Sequence, residues 1–131
     1  MSEAAAETER LAGRRQPLVA VVSSVPMIFE ALRDTLGLFA DVQSLPAQDG
    51  TVGFLRSIRP AAVVVDDEAV LAETREAAEE LGFLLVHLSL ADGRVRVFRD
   101  GAWAAVEEGD GLEPETVRDV VAAGVFSRDE T

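Results

Sequence analysis

The chain has 131 residues and a hydrophobic fraction of 48%, enough for one domain around a single core. Its formal charge of −12 argues against nucleic acid and anionic membranes as partners, because phosphates are repelled. Cysteine and lysine are both absent and there is one histidine, which excludes disulfides, thiol catalysis, thiolate metal sites and ammonium chemistry, and leaves no imidazole cluster.

Residues 1–16, "MSEAAAETERLAGRRQ", are small, charged and aperiodic, and read as a flexible N-terminal tail. They lack the apolar stretch of a signal peptide, and no run approaches the ~20 apolar residues of a membrane span, so a cytoplasmic location is expected. One domain is expected over 17–126, with 127–131 as a C-terminal tail and no DNA-binding domain after it.

"PLVAVVSS" (Pro17–Ser24) is a continuous apolar run ending in two small polar residues, the pattern of a strand buried on both faces. "VPMIFEALRDTLG" follows as a helix, with Pro26 in its first turn and Gly37 at its end. "ADVQSLPA" (Ala40–Ala47) is a more polar strand near an edge. Asp49-Gly50 marks a turn, and "TVGFLRSIR" a short helix stopped by Pro60. "AAVVVD" is the second buried strand. "EAVLAETREAAEELG" (Glu68–Gly82) is a helix capped by Gly82, and "FLLVHLSL" (Phe83–Leu90) is the third buried strand. "LEPETVRDVVAAG" closes the domain as a helix, with Pro114 in its first turn and Gly124 at its end.

Strands alternating with helices predict an α/β domain with a parallel sheet. The exception is "ADGRVRVFRDGAWAAVEEGDG" (Ala91–Gly111), with Asp-Gly pairs at hairpin spacing. A two-residue turn at Asp100-Gly101 sets Arg99 against Ala102, Phe98 against Trp103 and Arg94 against Glu107. Val95, Val97, Ala104 and Val106 then share one face, and Arg94, Arg96, Phe98, Trp103 and Glu107 the other. A short helix over Arg94–Arg99 is disfavoured by three β-formers in that stretch.

The order of these pieces resembles the receiver domains of response regulators, closest to the NarL/LuxR type. "VVSSVPMIFEALRDTL" resembles their first strand and helix, "IRPAAVVVDD" their "RPDVVLLD" strand and "VVHLSL" their "VIVLTA" strand. "DGAW…EPETVRDVVAAGVF" is similar to their closing segment. The resemblance covers roughly Pro17 to Phe126. It implies a flavodoxin-like, CheY-like parallel sheet of strand order 2-1-3-4-5, here with a β-hairpin in place of the fourth helix. It also implies two-component signalling, in which a histidine kinase phosphorylates an aspartate at the end of strand three.

Carried over position by position, the phosphoacceptor of that family falls on Asp66, beside Asp67, and its strand-four hydroxyl falls on Ser89. Its Mg²⁺-holding acidic pair falls on Ser23 and Ser24, so both carboxylates are missing. Its strand-five lysine falls near Val106 or Glu107. A phosphorylated carboxylate needs a cation to neutralise it, and two hydroxyls leave a hard divalent ion too few anionic ligands. No metal or cofactor is therefore expected, and no enzymatic activity.

His87, mid-strand among leucines, reads as a core histidine bonded to a neighbour. Ser23 and Ser24 read as a cap for the helix at Pro26 rather than nucleophiles, since no base is close in the pattern. Asp66, Asp67 and Glu68 read as a helix-terminal acidic run, where carboxylates are favoured.

Arg94, Arg96 and Arg99 form the only basic cluster of an acidic chain, and Phe98 and Trp103 are expected beside them on a solvent-facing surface. Tryptophan and arginine are enriched at interface hot spots, so Arg94, Arg96, Phe98 and Trp103 are the candidate protein interface. The alternative is simple cross-strand pairing with Glu107 and Glu108.

The resulting expectation is a stand-alone pseudo-receiver that binds a protein partner, or a second copy as a homodimer, without phosphorylation. The first alternative is an atypical phosphoacceptor using Asp66. The second is a small-molecule sensor in the crevice at the strand C-terminal ends, lined by Ser23, Ser24, Asp66 and Ser89.

Overall fold

The computed structural model describes residues 16–106 and 113–129, the last four as backbone. Residues 1–15, 107–112 and 130–131, and with them the expected Arg94–Glu107 and Glu108 pairings, lie outside the described residues; of the expected C-terminal tail, 127–129 instead continue the last helix.

Runs of β-branched and apolar residues form three central strands: β1 (Leu18–Val22), β3 (Ala62–Val65) and β4 (Leu84–Ser89). Each is buried along nearly its whole length, which is why both side-chain faces are apolar. The polar strand β2 (Asp41–Leu45) pairs with β1 only and forms one edge.

Four helices are described. They are α1 (Pro26–Leu36), α2 (Thr51–Ile58), α3 (Leu71–Leu81) and α4 (Pro114–Asp129). Leu32 and Leu36 of α1 pack with Val117, Val121 and Val125 of α4 on the sheet face that carries Val19, Val64 and Val86. Val52 and Leu55 of α2 pack with Ala77 and Ala78 of α3 on the opposite face, against Ala20, Val63 and Leu85. The sheet is thus covered on both sides where its strands are parallel.

The expected bounds shift at two places. The helix after β3 begins at Leu71 rather than Glu68, because Asp67 folds the chain first: its Oδ1 accepts the Ala69 N–H at 2.8 Å. Gly124 does not end the last helix, which continues to Asp129. A Cβ at Gly124 would lie 2.5 Å from Leu84 Cδ2, so this glycine lets α4 approach β4 closely.

The sheet order is β2-β1-β3-β4-β5-β6. Strands β1 to β4 run parallel to one another, with Val19 opposite Ala62 and Val65 opposite His87. Beyond β4 the sheet turns antiparallel. The strand β5 (Arg94–Arg99) follows after a link too short for a parallel crossover, and β6 (Ala102–Ala105) follows across Asp100-Gly101. Both turn residues have positive φ, 54° and 81°, as a type I′ turn requires.

The expected hairpin therefore exists, with Phe98 opposite Trp103 and Arg99 opposite Ala102. The wholly parallel five-strand sheet does not. The place beside β4 expected for the closing strand is taken by β5, and Ala102–Ala105 is displaced one position outward to the edge. Among the described residues the sheet is mixed and has six strands.

Candidate functional site

Two regions carry the residues singled out by the sequence. The first is the crevice between the C-terminal ends of β1 and β3, where the sheet order reverses direction and open α/β sheets place ligands. Here Ser23 and Ser24 leave β1 while Asp66 and Asp67 leave β3. The Ser23 hydroxyl donates to Asp66 Oδ2 at 2.5 Å and accepts the Val25 N–H at 2.9 Å. The Ser24 hydroxyl donates to Asp67 Oδ2 at 3.3 Å. Two side-chain bridges thus span the crevice, and each carboxylate faces a hydroxyl dipole.

Ser89 is not part of this arrangement. Its hydroxyl donates to Asp92 Oδ2 at 3.2 Å, within the β4–β5 turn. The displacement of β6 also removes Val106 from the crevice, since β5 stands between β4 and β6. Among the described residues, no three histidine, aspartate or glutamate side chains converge as metal ligands.

An open cleft of about 610 Å³ lies one strand away, between the start of α1 and the end of β2. Ser23 and Ser24 reach its wall beside Arg33, Ser44 and Gln48; Asp66, Asp67 and Ser89 do not line it.

The second region is built on the hairpin. The turn after β4 fixes the register that sets His87 opposite Arg96 and Leu85 opposite Phe98. His87 is 1% exposed, and its Nδ1 accepts the Arg96 Nη2–H at 2.9 Å. That bond assigns the proton to Nε2, which is buried without a hydrogen-bond partner among the described residues. Burial first, and then the Arg96 charge, lowers the His87 pKa from its ordinary value; Glu68, Asp66 and Asp92 pull the other way.

The Arg96 guanidinium also lies over the Trp103 ring, 4.7 Å from its centroid. Trp103 is half-buried and packs at a tilt on Phe98, with centroids 5.2 Å apart. Arg75, from α3, lies over the other aromatic ring, 5.9 Å from the Phe98 centroid.

Phe98 does not face solvent, contrary to expectation. Phe98 is 4% exposed and belongs to the core beneath α3, with Leu85, Phe83 and Ala78. The period-2 split of the hairpin is right. The face with the arginines is not open at Phe98, because α3 covers it there. Arg94, Arg96 and Trp103 remain at least partly accessible.

That His87 holds Arg96 does not follow from the local pattern of either strand. The signal was the first Asp-Gly pair, at Asp92-Gly93, which sets the β4–β5 register as Asp100-Gly101 sets the next. No protein-family model matches the chain, and no curated protein or solved structure matches it either.

Proposed function

We propose that this chain is a flavodoxin-like pseudo-receiver, a protein-interaction module of signalling or regulation that works without phosphotransfer and docks through its β5–β6 hairpin. The observation that carries this reading is the Arg96–Trp103 stack on a strand pair at the open end of the sheet. Tryptophan and arginine held in defined positions are what interface anchors require. The scaffold is supported by the order β2-β1-β3-β4 and by the division of helices, α1 and α4 on one face and α2 and α3 on the other.

The crevice favours the same reading over both alternatives. Asp66 is bonded to a hydroxyl, and no cationic side chain makes an ion pair or hydrogen bond with it among the described residues. A phosphoryl group added there would meet dipoles and the neighbouring Asp67. A small ligand would have to displace two bridges before entering.

The test compares Trp103→Ala, Arg96→Ala and Asp66→Ala in self-association by ultracentrifugation and in pull-downs from host lysate. Truncating a central anchor is expected to cost ~2 kcal/mol or more, roughly thirtyfold in affinity, and Asp66→Ala almost nothing. Acetyl phosphate is expected to leave the intact mass unchanged. Binding that survives Trp103→Ala and Arg96→Ala but is lost in Asp66→Ala would move the function to the crevice. A phosphoryl mass gain abolished by Asp66→Asn would restore the phosphoacceptor reading.

A further inference from the structure

We propose that the hairpin takes an extended acidic segment of a partner protein, which adds to β6 as a seventh strand and places a carboxylate on Arg96. This rests on the interaction-module reading and names the partner's chemistry.

The first support is the edge itself. β6 pairs with β5 and is the last strand of the sheet among the described residues. Exposed sheet edges are usually blunted by charges, proline or a bulge. Ala102–Ala105 has no charge and no proline, its pairing with β5 runs without a skipped residue, and Ala102, Ala104 and Ala105 are exposed.

Val106 N–H donates back to Val95 O at 2.9 Å. Antiparallel pairs alternate between bonded and non-bonded, so the N–H and C=O groups of Trp103 and Ala105 point to the open edge. Strand addition would use those groups for affinity and alternate side chains for selection.

The second support is the charge beside the edge. Arg94, Arg96 and Arg99 take part in none of the ion pairs found among the described residues. Arg96 is oriented by two uncharged partners, the His87 imidazole and the Trp103 ring. It keeps its full charge and further N–H donors for a planar carboxylate. Ala105 pairs with Arg96 and so lies on its face of the sheet; its single methyl leaves a lane from Arg96 to the edge. A seventh strand would lie two strand spacings, about 10 Å, from β5, within the joint reach of an arginine and a glutamate.

A second copy of the chain fits less well. Pairing two β6 edges would set Ala102–Ala105 of one copy against Ala102–Ala105 of the other. The incoming strand contains no acid for Arg96.

Trp103 is the chain's only tryptophan, so fluorescence of the full chain reports on this edge. The probes are short capped peptides of alternating valine and glutamate, alternating valine and lysine, and the glutamate peptide interrupted by proline. A saturable change is expected with the glutamate peptide and not with the other two. Arg96→Gln should weaken binding by about tenfold or more.

Ala105→Pro should abolish binding while near-UV circular dichroism stays unchanged. It removes an N–H that faces the open edge and none that bonds to β5. Equal binding of the lysine peptide, or binding indifferent to Ala105→Pro, would overturn the proposal. A dimer in ultracentrifugation that Ala105→Pro dissolves would also overturn it, by making a second copy the occupant. If Trp103→Ala removes partner capture but no glutamate peptide binds, the interaction reading stands and the acidic strand fails.

Discussion

His87 lies 1% exposed at the junction of β4 and the hairpin, and it is the chain's only histidine. Its neutral ring accepts a hydrogen bond from Arg96, so protonation would set two cations against each other. In the unfolded chain it takes a proton near its ordinary value of about 6.5; folded, it resists protonation to lower pH. Between those two values the unfolded state binds more protons, so stability rises with pH. The His87 contribution is therefore complete above about pH 6.5 and declines as pH falls through the lowered folded value. Denaturant unfolding is expected to give a lower free energy at mildly acidic pH than at neutral pH. His87→Gln, which keeps an acceptor for Arg96 but does not titrate, should flatten that dependence. A variant that keeps the full slope would assign it to other groups. Its leucine neighbours predict a buried, bonded histidine, but its partner depends on the β4–β5 register set by the turn at Asp92-Gly93.

At the scale of elements, Gly124 shows how packing overrides a local signal. A glycine at the end of an apolar-periodic stretch reads as a helix stop, yet α4 runs on and the missing Cβ is the space occupied by Leu84. Gly124→Ala would gain about 1 kcal/mol of helix propensity but overpack a side chain that is itself buried, at roughly 1–3 kcal/mol. Net destabilisation is expected in the wild-type background, and stabilisation when Leu84→Ala opens the site. A double-mutant cycle measures this, and additive effects would sink the idea.

Strands β1, β3 and β4 were legible because short continuous apolar runs have few other solutions in a covered sheet. The hairpin was legible because Asp100-Gly101 demands two positive φ angles. The placement of Phe98 under α3 was not legible, since alternation gives two faces without saying which a helix will cover. In the crevice, the sequence pattern groups Ser23, Ser24, Asp66 and Ser89; the first three meet there, with Asp67 beside them. It could not show that Ser89 would bond Asp92, a partner supplied by the turn that replaced a helix.

For the molecule as a whole, the change from parallel to antiparallel pairing divides the sheet by sequence distance. Ser89 pairs with Arg94 and Arg99 with Ala102, whereas Val19 must find Ala62. Closing a long loop loses more chain entropy than closing a short one, and non-local pairings slow folding. The β4–β5–β6 meander should therefore assemble first and present β4 as a template on which β3, and then β1, dock. Val95 and Val64 are equally buried, on β5 and β3, which makes a matched pair of probes. Val95→Ala should act mainly on the refolding limb of a chevron and Val64→Ala mainly on the unfolding limb. The reverse pattern would mean that the parallel half nucleates. If the order is as expected, the surface proposed to meet the partner is also the earliest ordered part of the nascent domain. Its open edge would then be exposed to other chains before the rest of the sheet has closed, and a bound acidic strand would act as a folding guard as well as a ligand.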